Sequence, residues 1–303
     1  MRHYLGIDIG TYASKGALVD ESGRIVAEAS RPHRMIVPQA GWAEHRPRED
    51  WWNDITAISR QLMSESGIAP ADIRSVACSA IGPCMLPVDA VGEPLMNAVL
   101  YGVDTRAAAE IEELTTQIGE KSLVEHCDQA LTSQSVGPKI LWLHRNRPEI
   151  FARTAKIVNS TTYLVWKLTG RYVLDHYSAI NTGPIYLAAS NEWSDVLAPD
   201  LLPLEKLPEL YGRQKSPEES PKRPQRSPDS RSAPRSPPAP STRPQKPSAS
   251  ACSIPATCLL RMAPPSSSSH WLPAESVIGE SGTRNGSFPA STQRRRASPP
   301  AEP

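Results

Sequence analysis

A carboxylate, a glycine, a hydroxyl and an ammonium fall close together near the start of the chain, in HYLGIDIGTYASKGALVDESGRIV. Asp8 interrupts an apolar run and is followed at once by Gly10 and Thr11, with Lys15 a little further on. Glycine at such a turn lets backbone approach a ligand without a side chain in the way. Successive N–H groups there form an anion-binding concavity, to which Thr11 adds a hydroxyl. Asp8 stands where a carboxylate holds Mg²⁺ or its waters beside phosphates, and Lys15 offers a point charge to the same group. The bland alternative is equally open at this point: Asp8 as a turn residue and Lys15 as a solvated strand residue.

Three short strands position these residues: Tyr4 to Ile9, Ser14 to Val19 and Arg24 to Ala29, joined by turn sequences. RPREDWWNDITAISRQLMSES then predicts a helix, with Pro47 in its first turn and Glu49 and Asp50 at the positive end of its dipole. Trp51, Ile55, Ile58 and Leu62 recur at helical spacing, and Gly67 closes the element. IRSVACSAIG reads as a buried strand with CMLPVDAVGEPL as its hairpin partner. Beyond it, DTRAAAEIEELTTQIG and GPKILWLHRNRPEIFART read as amphipathic helices, the second broken at Pro148. AKIVN is a short strand, and STTYLVWKLTG a helix with Ser160 as N-cap and Gly170 as C-cap. DHYSAINTG and EWSDVL are expected as short helical or turn elements.

The chain changes character after Gly212. Up to that residue 19 Lys+Arg face 26 Asp+Glu; afterwards 14 face 6, and 18 of the 31 prolines lie there with no tyrosine. Such a Ser/Pro/Arg mixture buries too little apolar surface to offset its ordering entropy, and none of its apolar islands has the length or period of an element. The expected organisation is therefore a folded domain over 1–212 and a disordered tail over 213–303. Five cysteines without a CxxC pair read as reduced thiols of a cytoplasmic protein. Scattered histidines give no zinc spacing, no window has the apolar length of a membrane span, and no signal peptide opens the chain. The tail's cations are too diluted by proline and serine to read as a nucleic-acid arm.

In order, YLGIDIGTYASKGALVDESGRIVAEA, AGWAEHRPREDWW, VACSAIG, LYGVDTRA, the segment from PKILWLHRN to STTYLVWKLTG, and DHYSA resemble the N-terminal half of FGGY-family carbohydrate kinases, from about Tyr4 to Tyr211. The xylulokinase-like branch is the nearest. The resemblance implies an α/β, ribonuclease-H-like fold of the actin and sugar-kinase superfamily, and transfer of the ATP γ-phosphoryl group to a sugar hydroxyl. It also implies ATP and Mg²⁺ as cofactors, and a ketopentose or polyol as substrate. The implied partners are that sugar and ATP, with neither nucleic acid nor membrane, and a homodimer is left open.

Carried across residue by residue, Gly10, Thr11 and Lys15 match the phosphate-binding turn and Asp8 its metal ligand. Asp104 and Arg106 match an Asp-x-Arg of the sugar-side loop, and Gln134 a sugar-contacting position. The loop AIGPC departs from the family's polar pattern, so a contact there would come from backbone, at Gly82. Asp104 as a helix N-cap with Arg106 on the surface is the competing reading. His176 and Tyr177 sit near the expected cleft lip in structural roles. The family's proton-accepting aspartate belongs to a glycine-rich turn after a segment like LPEL, where this chain reads YGRQKSPEESPKRPQRSP. No catalytic residue is assigned for that reason. A reading-frame slip after codon 212 is expected to account for the change, with a natural extension as the alternative. An inactive, poorly soluble chain is expected to follow from it.

Overall fold

The structure is a computed structural model that describes residues 1–211 and the backbone of a strand at Cys252–Pro255. The opening residues form β1 (His3–Ile9), β2 (Ala13–Asp20) and β3 (Ile25–Pro32), an antiparallel meander. Short β4 (Glu44–His45) leads into a π-helical turn at Pro47–Trp52 and then α1 (Asn53–Ser66). Gly67 ends α1 in the left-handed region, at φ 68°, where glycine carries no Cβ penalty. β5 (Ile73–Ala80) returns parallel to β1.

From there the chain leaves the main sheet through β6 (Leu86–Val88), β7 (Ala98–Val99), α2 (Ala108–Ile118), α3 (Glu120–Cys127), α4 (Val136–Asn146) and α5 (Pro148–Arg153). β8 (Lys156–Val158), α6 (Ser160–Thr169), β9 (Val173–Asp175) and α7 (His176–Ala179) follow. The hairpin β10 (Tyr186–Leu187) and β11 (Glu192–Trp193) precedes β12 (Glu209–Tyr211), which lies parallel to β9.

Alternation along the strands decides which sheet face is core. Leu5, Ile7, Ile9, Leu18, Val76 and Cys78 point to one side and are buried against Ile55, Ile58 and Leu62 of α1 and Tyr163 and Leu164 of α6. The apolar stripe read from the sequence of α1 is thus the stripe that packs. On the other face, Asp8 and Lys15 are exposed. A second core gathers Met85, Val99, Ile140, Leu143, Ile157 and Leu201 beneath α4.

Several expectations are corrected. Leu86–Val88 is not the hairpin partner of β5 but pairs antiparallel with β8. β5 already has β1 on one side, and the chain turns away from it through a cis Gly82–Pro83 bond. The N-cap of α6 is Asn159, whose Oδ1 accepts from Thr162 N at 2.7 Å. Ser160 instead donates its hydroxyl to the Ile81 carbonyl. Glu192–Trp193 is a strand rather than a helical turn. The expected tail falls almost wholly outside the described residues. Within it, the expectation that no stretch makes an element fails at β13 (Cys252–Pro255), which pairs antiparallel with β5. The five strands of the main sheet run β13-β5-β1-β2-β3.

Candidate active site

Strand register brings three of the chemical side chains to one sheet face. Asp8 lies opposite Lys15 in the β1–β2 pair and opposite Ser79 in the β1–β5 pair. Ser79 donates its hydroxyl hydrogen to Asp8 Oδ1 at 2.5 Å. An open hollow of about 330 Å³ covers this face, lined by Asp8, Lys15, Ser79, Gly6, Ala17 and Glu28 among others. Asp8 Oδ2 takes no hydrogen bond among the described residues. An exposed carboxylate with one oxygen uncommitted, beside a serine hydroxyl, fits Mg²⁺, which keeps several waters and needs only one or two carboxylates. Bound there with a nucleotide, the ion would neutralise phosphate charge.

The turn between β1 and β2 closes with Gly10 N donating to Ala13 O at 3.0 Å. A Cβ on Gly10 would stand 2.9 Å from that same oxygen, so the tight turn excludes a side chain. Thr11 Oγ1 lies 3.2 Å from the Tyr101 hydroxyl, which joins the turn to the loop after β7. Ile81 N donates to Ile9 O at 2.7 Å and ties the Ile81–Gly82 loop to the same turn. Gly82 is exposed just beyond the end of β5.

Asp104 and Arg106 are placed differently from the expectation of a sugar contact. The Arg106 side chain is sealed from solvent and stacks on Trp42, with its guanidinium carbon 3.9 Å from the ring centroid, and on Trp142 at 5.0 Å. Its Nη2 reaches Asp104 Oδ2 at 2.7 Å and Glu44 Oε1 at 2.9 Å. Asp104 Oδ2 also accepts from Ala43 N at 2.6 Å. Its Oδ1 accepts from Arg106 N and Nε, so both carboxylate oxygens are committed inside the protein. The pair clamps the Gly-Trp-Ala-Glu segment to the Tyr101–Asp104 loop, and neither the surface-arginine reading nor a direct sugar contact agrees with this burial. Gln134 is exposed beside Gly102, next to that loop. His176 Nδ1 pairs with the Tyr186 hydroxyl at 2.9 Å, a structural contact.

Three residues near the site had no signal in the sequence. Lys139 is buried below the Asp104–Arg106 clamp and donates to Ser133 O at 2.6 Å. Burial pulls its ammonium down to about 8, and pushes the neighbouring Cys84 thiol up to about 12. His33 and His45 lie under the Gly10–Thr11 turn, with Nε2 atoms 2.9 Å from Gly10 O and 3.1 Å from Thr11 O. Burial, and then the nearby His33, pulls His45 down to about 4. Their positions in the sequence lie far from the turn, and only a tertiary fold could bring them there.

Residues 3–219 match the N-terminal domain of the FGGY family of carbohydrate kinases. The chain belongs to this family. Among curated FGGY relatives, the xylulose kinase of Bacillus subtilis is 29% identical over 195 residues, covering 64% of this chain and 38% of that protein. The glycerol kinase of Corynebacterium efficiens is 33% identical over 169 residues, covering 54% and 33%. The chain thus spans well under half the length of these relatives. The crystal structure of the xylulose kinase from Rhodospirillum rubrum superposes with a TM-score of 0.64 at 28% identity, covering 69% of this chain and 43% of that one. The mixed α/β, actin-like fold of the sugar kinases is therefore that of this FGGY domain. Among its described residues no helix is long and apolar enough to cross a membrane.

Proposed function

We propose that the protein serves ATP-dependent phosphorylation of a sugar or polyol hydroxyl, with a ketopentose such as xylulose as first candidate and glycerol as second. One observation carries the reading: Asp8, Lys15 and Ser79 share a sheet face beside the Gly10–Thr11 turn. Phosphoryl transfer depends mainly on positioning the nucleotide and neutralising its charge. In this reading Asp8 holds Mg²⁺, the turn amides and Lys15 hold phosphate oxygens, and Gly82 and Gln134 border the acceptor. Asp104 and Arg106 act at one remove, by fixing the loop that carries Tyr101.

A non-catalytic, sugar-binding or regulatory role is the second reading. It is favoured by the sequence after LPEL, where no glycine-rich turn bears the acid that would take the hydroxyl proton. The two separate in one experiment with the full chain, labelled ATP, Mg²⁺ and a panel of xylulose, ribulose and glycerol. Label in a sugar phosphate above background supports the first reading for this chain. Sugar binding by calorimetry without transfer supports the second, and neither binding nor transfer contradicts both.

A further inference from the structure

Four successive carbonyls at the β1–β2 turn are all held as acceptors. Ile9 O takes Ile81 N at 2.7 Å, and Tyr12 O takes His33 N at 3.0 Å. Between them Gly10 O faces His33 Nε2 and Thr11 O faces His45 Nε2. Among the described residues no hydrogen bond uses the amides of Thr11 or Tyr12. Carbonyls fastened on one side leave those amides for an anion on the other.

Each ring is also held at its second nitrogen. His33 Nε2 meets a carbonyl, and its Nδ1 lies 3.0 Å from Asp54 Oδ2 and 3.4 Å from Ser14 Oγ. Asp54 is anchored in turn: Arg31 Nε donates to its Oδ1 at 3.0 Å, and Ser14 Oγ to its Oδ2 at 2.7 Å. His45 differs. Its Nε2 donates to Thr11 O, while its Nδ1 accepts from Trp51 Nε1 at 3.0 Å, which requires a neutral ring. The two rings meet edge to face at 5.0 Å, and both are nearly sealed from solvent.

We infer that His33 and His45 are positioning residues for the phosphate turn, two buried imidazoles that clamp the Gly10 and Thr11 carbonyls and keep the Thr11 and Tyr12 amides free for a nucleotide phosphate. The clamp is set from four elements: Ser14 on β2, Arg31 on β3 and Asp54 on α1 hold His33, and Trp51 of the π-helical turn holds His45. The role in phosphate binding rests on the kinase reading, whereas the clamp does not.

Nitrogen-15 NMR of the full chain at neutral pH tests it. The Nε2 of both rings is expected to carry hydrogen, and the Nδ1 of His45 to be bare. His33→Ala should shift the Thr11 and Tyr12 amide resonances and weaken binding of MgATP about tenfold, the scale of a hydrogen bond to a charged group. His33→Gln, which retains one donor for Gly10 O, should recover part of that loss, and serves as well if the alanine variant fails to fold. A bare Nε2 in either ring, or amide resonances unmoved in both variants, would overturn the inference. Both Nε2 donors as stated, with no response of those amides to MgATP, would support the clamp and contradict the kinase reading instead.

Discussion

Ser79 and Asp8 face each other across the parallel pairing of β5 and β1, hydroxyl to carboxylate at 2.5 Å. Nothing else among the described residues hydrogen-bonds to the Asp8 side chain, which is exposed. A residue with so little structural employment should be replaceable without harm to the fold. Asp8→Asn is expected to change unfolding free energy by no more than about 0.5 kcal/mol. Thermal melts with and without MgATP give the check: the variant keeps its apo midpoint and loses the stabilisation that MgATP confers.

Arg106 behaves oppositely. It is buried between Asp104, Glu44 and two tryptophans. Arg106→Met leaves two carboxylates facing an apolar side chain, and should cost about 3–5 kcal/mol in urea unfolding. Arg106→Lys keeps the charge but not the planar fork or its stacking, and should fall between wild type and Arg106→Met.

A pH dependence follows from His45. Its folded-state value of about 4 lies below the ordinary 6.5, chiefly through burial. Between these limits the unfolded chain binds a proton that the folded one refuses. Stability therefore rises with pH from about 4 to about 6.5 and is fully present above that, a contribution of up to about 3 kcal/mol. His45→Gln removes this titration, so the difference between wild-type and variant unfolding curves should slope across that window and be flat above it.

Gly92 supplies a steric test against α6. Its φ is +79°, and a Cβ there would lie 2.0 Å from Cζ2 of Trp166. Gly92→Ala combines backbone strain with overpacking and should destabilise by about 1–3 kcal/mol. A loss of a few tenths, read from denaturant midpoints, would mean that Trp166 moves aside freely.

Strands, α1 and the Asp8–Lys15 pair were legible in the sequence because each rests on local alternation or helical spacing. Asp8 and Lys15 share a face as a consequence of strand period, which the residues alone specify. Partners chosen by topology were not legible. Leu86–Val88 looked like the hairpin partner of β5, yet β8, from much further along the chain, took that strand. The same holds for Ser79 against Asp8, since a parallel neighbour requires a crossover whose register local sequence does not set. Asp104 and Arg106 were visible as a motif but not as a buried clamp, because burial depended on Trp42 and Trp142 arriving from distant segments. His33 and His45 gave no signal at all, as neither shares an element with the turn it supports.

Calorimetric titration of MgATP into the full chain, alongside Asp8→Asn and a magnesium-free control, tests the central claim most directly. The account predicts saturable binding to wild type that falls by at least about tenfold when either the carboxylate or the ion is removed. Equal binding in all three titrations, or none to the wild-type chain, would contradict it.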